Sequence, residues 1–361
     1  MGTFSNPNGK WVNKERLGNW VFIYPVFKFM ERVHLDRFNA TGELYIPTLH
    51  EFKDKDKYNG TILDDAEGVF RIKNTYSYTG LVKDSYGLLP TKIPPYQFIH
   101  LQNQVIEEEH VETSSIVYCA ADSFFSDSLT WAVKHKKDSC IMIVDLHEFI
   151  DIATQYIGDE HTRVDVRPCD YSGRFVDESN PGPESLTTQH LIDPVKRLFV
   201  KPITHVDQHE VRAVWRTAKG EAKPCKIQVP LLRNFTVPLN FPTITLENWS
   251  KAKAGIGAVG VRVKKRDGQM GVVIAKIPSD ITSPVVFRHK GGWKLGFRYI
   301  NPTGRIENGI FICESPPHIL NGNALFQMCD MENIEYVEYF YDPDFDKRHA
   351  ESMKAAPQTQ L

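Results

Sequence analysis

The residues best suited to chemistry lie in the segment Lys201 to Arg216, K-P-I-T-H-V-D-Q-H-E-V-R-A-V-W-R. Its second half alternates: Glu210, Arg212 and Val214 on one side, Val211, Ala213 and Trp215 on the other, the two-residue period of a strand with one apolar face. A carboxylate and a guanidinium sharing a strand face form either a structural ion pair or a site. Gln208 stands two residues before Glu210, and in extended chain the two side chains project to the same side. A preorganised carboxylate of this kind stabilises positive charge that develops in a transition state.

Other constellations carry less. Gly255 to Gly260, G-I-G-A-V-G, matches a dinucleotide fingerprint in letters, but that motif needs a strand before it and a helix after it. Here a polar run precedes it and an alternating, strand-like run follows, so it is read as a glycine-rich loop. His205 and His209 have the four-residue spacing of a metal pair, yet too few residues follow Pro202 to build the helix that would present both. Asp342, Asp344 and Asp346 lack the glycine and terminal glutamate of a calcium loop. Lys264, Lys265 and Arg266 form a small basic cluster at a turn, read as solvated charge or a phosphate contact. The serines from Ser114 to Ser128 have no G-x-S-x-G context.

The elements that position these residues follow from the hydrophobic pattern. Trp20 to Met30, broken by Pro25, reads as a strand or a bent pair of strands, and Lys28 faces away from the side where Phe27 and Phe29 are buried. A short helix is expected from Glu31 to Thr41, ended near Gly42, and a short strand at Leu44 to Ile46. The polar run through Asp64, Asp65 and Glu67 reads as a surface loop, and Ile99 to Glu112 as a short helix. Buried strands are expected at Ser115 to Ala120 and Ser139 to Val144, with helices over Ser128 to Lys134 and just after Val144. Arg163 to Thr188 is polar, and a short helix is placed at His190 to Arg197. Val259 to Val263 and Met270 to Lys276 flank an Asp-Gly turn, a hairpin signal.

Composition bounds the class. Charge is nearly balanced, with 43 Lys and Arg against 45 Asp and Glu, so no global basic field points to nucleic acid. The six cysteines have no paired spacing, which favours reduced thiols in a cytoplasmic protein over a disulfide framework. No secretory signal and no apolar run near the ~20 residues of a membrane span is visible. A boundary is placed between Gly220 and Phe235. It separates an α+β domain over residues 1–220 from a mostly β accessory domain over 235–346, with a polar tail at 347–361.

Several pieces then line up in order: F-K-F around Lys28, L-D-R-F-x-x-x-G-x-L-x-I-P from Leu35, D-x-x-E-G at Asp64, V-Y-C-A at Val117 with a later W-A, and K-P-x(7)-E-x-R-x-V-W from Lys201. This order, over roughly Trp20 to Arg216, resembles a bacterial family catalogued as a domain of unknown function. That family has a Y-K-Y-like strand, an N-D-P-x-E-like loop and a closing E-x-E-x-R strand. The present chain departs from it at Asp64-Asp65-Ala66-Glu67, where Asn-Asp-Pro is absent, and at Gln208, which replaces the first glutamate.

The resemblance implies an ADP-ribosyltransferase-like fold, a split mixed or antiparallel sheet that clamps NAD. It implies that Lys28 contacts an NAD phosphate, that Ser114 or Ser115 supplies the middle-strand hydroxyl, and that Gln208 and Glu210 are catalytic. Arg212 would keep Glu210 ionised. The implied activity is transfer of ADP-ribose from NAD to a macromolecular acceptor, protein or nucleic acid, as in a toxin or phage-conflict effector. Two other classes fit the residues: a non-catalytic module binding nucleotide or nucleic acid, and a metal-dependent nuclease using Asp64, Asp65, Glu67 and Glu210.

Overall fold

The computed structural model describes residues 14–17, 20–53, 67, 69–82, 97–124, 127–171, 175–177, 195–218, 220–275, 281–288, 292–299, 318–320 and 323–355. The expectations at Asp64 and Asp65, and residues 190–194 of the short helix expected at His190 to Arg197, lie outside these. The chain is α+β, and it divides into two compact units interleaved in sequence: Met1–Pro47, Ile116–Pro168 and Asp207–Leu361 in the first, Thr48–Ser115 and Cys169–Val206 in the second.

The first unit is organised by a nine-stranded mixed sheet. In spatial order its strands are Met270–Ala275, Ala258–Lys265, Ile334–Asp342, Thr236–Asn240, Ser139–Ile143, Val26–Met30, Ser115–Ala121, Glu210–Thr217 and His161–Pro168. Strand alternation sends neighbouring side chains to opposite faces, and each face has its own core. Phe27, Phe29, Cys140, Met142, Val237 and Leu239 belong to one. Val26, Met30, Ile141, Ile143, Val211, Ala213 and Trp215 belong to the other. The helices Asp127–Lys134 and Leu246–Lys253 cover the first face through Leu129, Ala132, Trp249 and Ala252. The helices Arg32–Thr41 and Leu146–Ile157 cover the second through Leu35, Phe38, Phe149 and Ile150.

Pro25 does break the first apolar run into two strands. Trp20–Ile23 joins a separate six-stranded antiparallel sheet, whereas Val26–Met30 enters the interior of the nine-stranded one. The first helix stops as its glycine requires: Gly42 has φ 69°, and its N–H donates to Phe38 O at 2.7 Å. A Cβ there would sit 2.1 Å from Val229 O. Gly42→Ala is therefore expected to cost about 2 kcal/mol or more, left-handed backbone and displaced main chain together, measured by denaturant unfolding.

The structure corrects one expectation and refines three. The boundary placed between Gly220 and Phe235 does not separate two sheets. Thr236–Asn240 pairs with Ser139–Ile143, in register Val237 with Met142, so residues beyond 235 complete the same sheet as residues before 220. Residues 97–111 form a strand, not a helix, paired antiparallel with Val69–Val82 in the second unit. Ile99, Leu101 and Val105 alternate with His100, Gln102 and Gln104, a two-residue period. The polar start of Arg163 to Thr188 includes an edge strand, His161–Pro168, which buries Val166 and leaves Thr162 and Arg163 exposed. The polar tail begins as a helix, Phe345–Ala355, whose Asp346 accepts from Gly257 N–H at 3.2 Å.

Among the described residues no helix is long and apolar enough to cross a membrane. Among the described residues, Cys140 and Cys225 are free thiols.

Candidate functional site

The strand Glu210–Thr217 carries Val211, Ala213 and Trp215 into the second core, where Trp215 Nε1–H donates to Thr154 Oγ1 at 2.9 Å. Glu210 and Arg212 therefore project from the opposite face. There Arg212 Nε donates to Glu210 Oε1, and the two side chains are 1 % and 8 % exposed. The alternation read from the sequence holds, and the charge on that face is satisfied as a buried ion pair.

Lys28 goes the other way. Between Phe27 and Phe29, which point into the first core, it shares the face of Val26 and Met30, and its ammonium lies 5.0 Å from the centroid of the Tyr118 ring. Lys28 and Glu210 thus occupy opposite faces of one sheet, and no site contains both. The strand that carries Lys28 is interior to the sheet, and the side chain is half-buried over an aromatic face.

Gln208 and Glu210 are not related by extended backbone either. Gln208 ends a 3-10 helix, Ile203–Gln208, and His209 has φ 46°, so the alternation begins only at Glu210.

Ser114 and Ser115 have a local task within the second unit. The Glu112 carboxylate, 6 % exposed, accepts from Ser114 N–H at 3.1 Å, Ser114 Oγ at 2.5 Å and Ser115 Oγ at 3.0 Å. Three donors on one oxygen hold a buried carboxylate in a turn. Glu67, also in that unit, is 2 % exposed. Of the residues expected to hold a dinucleotide, Lys28 lies on the face opposite Glu210, Ser114 and Ser115 donate to Glu112, and Arg212 donates to Glu210.

What the structure adds is a polar junction in the first unit. The chain leaves Ser115–Ala121 at Asp122 and is anchored two residues later by Phe124, whose ring lies 4.3 Å from that of Tyr339 and 5.4 Å from that of Phe27. Asp122 N–H donates to His209 O at 2.9 Å, and His209 Nδ1 lies 3.7 Å from Asp122 Oδ1. These side chains are 36 % and 39 % exposed, in contrast to the sealed pair beside them.

Burial pushes the Asp122 carboxyl up from its ordinary range, against the opposing charge of His209. At the end of the helix Asp127–Lys134, the His135 ring lies tilted against that of Trp131, with centroids 4.9 Å apart. Burial, then Lys134 and Lys137, hold the His135 imidazole below its ordinary range, while the Asp207 carboxylate pulls the other way. A carboxylate facing an imidazole, as Asp122 faces His209, can hold and pass a proton.

A raised carboxyl is a stability statement with a definite sign. Below the unfolded-state value of about 3.9 both states are protonated and nothing is lost. As pH rises through the raised native value, the folded state carries a charge that burial disfavours. Asp122→Asn is therefore expected to raise the thermal midpoint at pH 7 relative to wild type, with the difference vanishing near pH 3. A midpoint lowered at pH 7 would show that the pairing with His209 outweighs burial.

Sequence reasoning weighed His209 as half of a metal pair, set that aside for want of a helix, and passed over Asp122 and His135. The available signal was positional: an aspartate directly after a buried strand and a histidine directly before another. Among the described residues, no three histidine, cysteine or carboxylate side chains are grouped to hold a metal ion. No family model, curated protein or solved structure matches the chain.

Proposed function

We propose that the chain is an ADP-ribosyltransferase-like enzyme, using NAD as substrate and transferring ADP-ribose to a macromolecular acceptor. Two things support the reading: the order of segments that resembles the family described above, and the convergence of Gln208, His209 and Glu210 with Asp122 in one unit. The single observation that carries it is the polar junction where Asp122 meets the Gln208–Glu210 turn.

Cleavage of the bond between nicotinamide and ribose builds oxocarbenium-like positive charge, as in glycoside cleavage. In this reading Glu210 supplies fixed negative charge near that centre, and Gln208 orients the acceptor. Lys28, Ser114 and Ser115 have no part in it. The test is incubation with NAD labelled in its nicotinamide and ADP-ribose halves, with protein, DNA and RNA acceptors. Nicotinamide release that falls on Glu210→Gln is the expected result; no release by wild type overturns the proposal.

One observation favours a second reading. Glu210 is buried against Arg212, as in a structural ion pair. On that reading the chain is a non-catalytic module, and nucleotide raises its thermal midpoint without being consumed.

A further inference from the structure

We propose that Asp122 and His209 form a proton-accepting dyad for this reaction, and that the acceptor it serves is a hydroxyl, water included. The inference rests on the glycosyl-transfer reading for its substrate and on the junction's own geometry for its residues.

His209 is held from two directions. Its carbonyl accepts from Asp122 N–H at 2.9 Å, and its Nδ1 faces the Asp122 carboxylate at 3.7 Å. Nε2 is then the nitrogen turned away from the carboxylate, a base whose partner orients the ring. The backbone that aims it is costly. Among the described residues, the non-glycine residues with positive φ are Lys136 and His209, and strain of this type concentrates where a side chain has a task.

Exposure makes the same distinction. The Glu210–Arg212 pair is closed to solvent, whereas Asp122 and His209 are each more than one-third exposed. A proton can be exchanged at the second pair and not at the first. The side-chain charge that faces Asp122 is His209, which Asp207 and Glu210 flank in the chain.

The chemistry then selects the acceptor. As the C1′–N bond breaks, its electron pair goes to the pyridine nitrogen and nicotinamide leaves neutral. A new C1′–O bond forms from the acceptor oxygen, and that oxygen's proton passes to His209 Nε2. Nothing is oxidised or reduced. An already ionised nucleophile, such as a thiolate, has no proton to give and would not need the dyad.

The test uses the full chain with NAD alone, so that water is the hydroxyl. Asn and Gly both tolerate left-handed backbone, which makes His209→Asn and His209→Gly suited to the native turn. His209→Asn is expected to lower nicotinamide release per folded molecule about 10²–10⁴-fold. His209→Gly should fall equally and recover in part when imidazole is added, a response that a merely structural residue would not give. Wild-type rates in His209→Asn, or a His209→Gly variant that imidazole does not revive, would overturn the dyad while leaving glycosyl transfer standing. A wild-type protein that releases no nicotinamide overturns both.

Discussion

Arg212→Ala is expected to lower the free energy of unfolding by about 3–5 kcal/mol, the range for breaking a buried pair by removing one partner. The guanidinium is 1 % exposed and donates to a carboxylate that is itself 8 % exposed. Its removal takes away the opposite charge that Glu210 faces and leaves a void where a large side chain was. Replacing both partners with apolar residues of similar volume, Glu210→Leu with Arg212→Met, should recover most of the loss, because neither charge then needs solvating. Denaturant unfolding of wild type, the two single variants and the double variant gives the coupling directly. A loss below about 1 kcal/mol for Arg212→Ala, the scale of an exposed pair, would mean that water reaches the pair.

The second large effect is kinetic. Glu210→Gln keeps the shape of the side chain and an oxygen to accept from Arg212 Nε, so the strand should keep its place. What is lost is the negative charge. If Glu210 stabilises the transition state, nicotinamide release per folded molecule falls by about 10²–10³, in kcat with KM little changed. If the pair is structural, Glu210→Gln loses stability instead and the rate per folded molecule stays at wild type. Unfolding and turnover measured on the same preparation therefore separate the two roles of one carboxylate.

Much of the local structure was legible from residue type and spacing. Pro25 splits an apolar run, Gly42 stops a helix, and the Asp267-Gly268 turn joins two paired strands. In each case one residue's backbone chemistry decides the outcome within a few positions. The alternation of Glu210 and Arg212 against Val211, Ala213 and Trp215 was equally readable, because a half-buried strand writes its two faces into the sequence.

The failures share a cause. Residues 97–111 and 161–168 carry so much polarity that their pairing partners, not their own composition, make them strands. The boundary near Gly220 met the same obstacle: Thr236–Asn240 looks like the start of something new until it is seen beside Ser139–Ile143.

The sequence alone therefore determined which side chains share a strand face and where helices and turns begin and end, since these depend on short-range periodicity and on the φ preferences of proline and glycine. Only the tertiary structure decided that Lys28 and Glu210 lie on opposite faces of one sheet, and that Asp122 and His209, 87 positions apart in the numbering, meet. Strand order across a sheet is set by hydrogen bonding between segments remote in sequence, and no local pattern encodes which strand lies beside which.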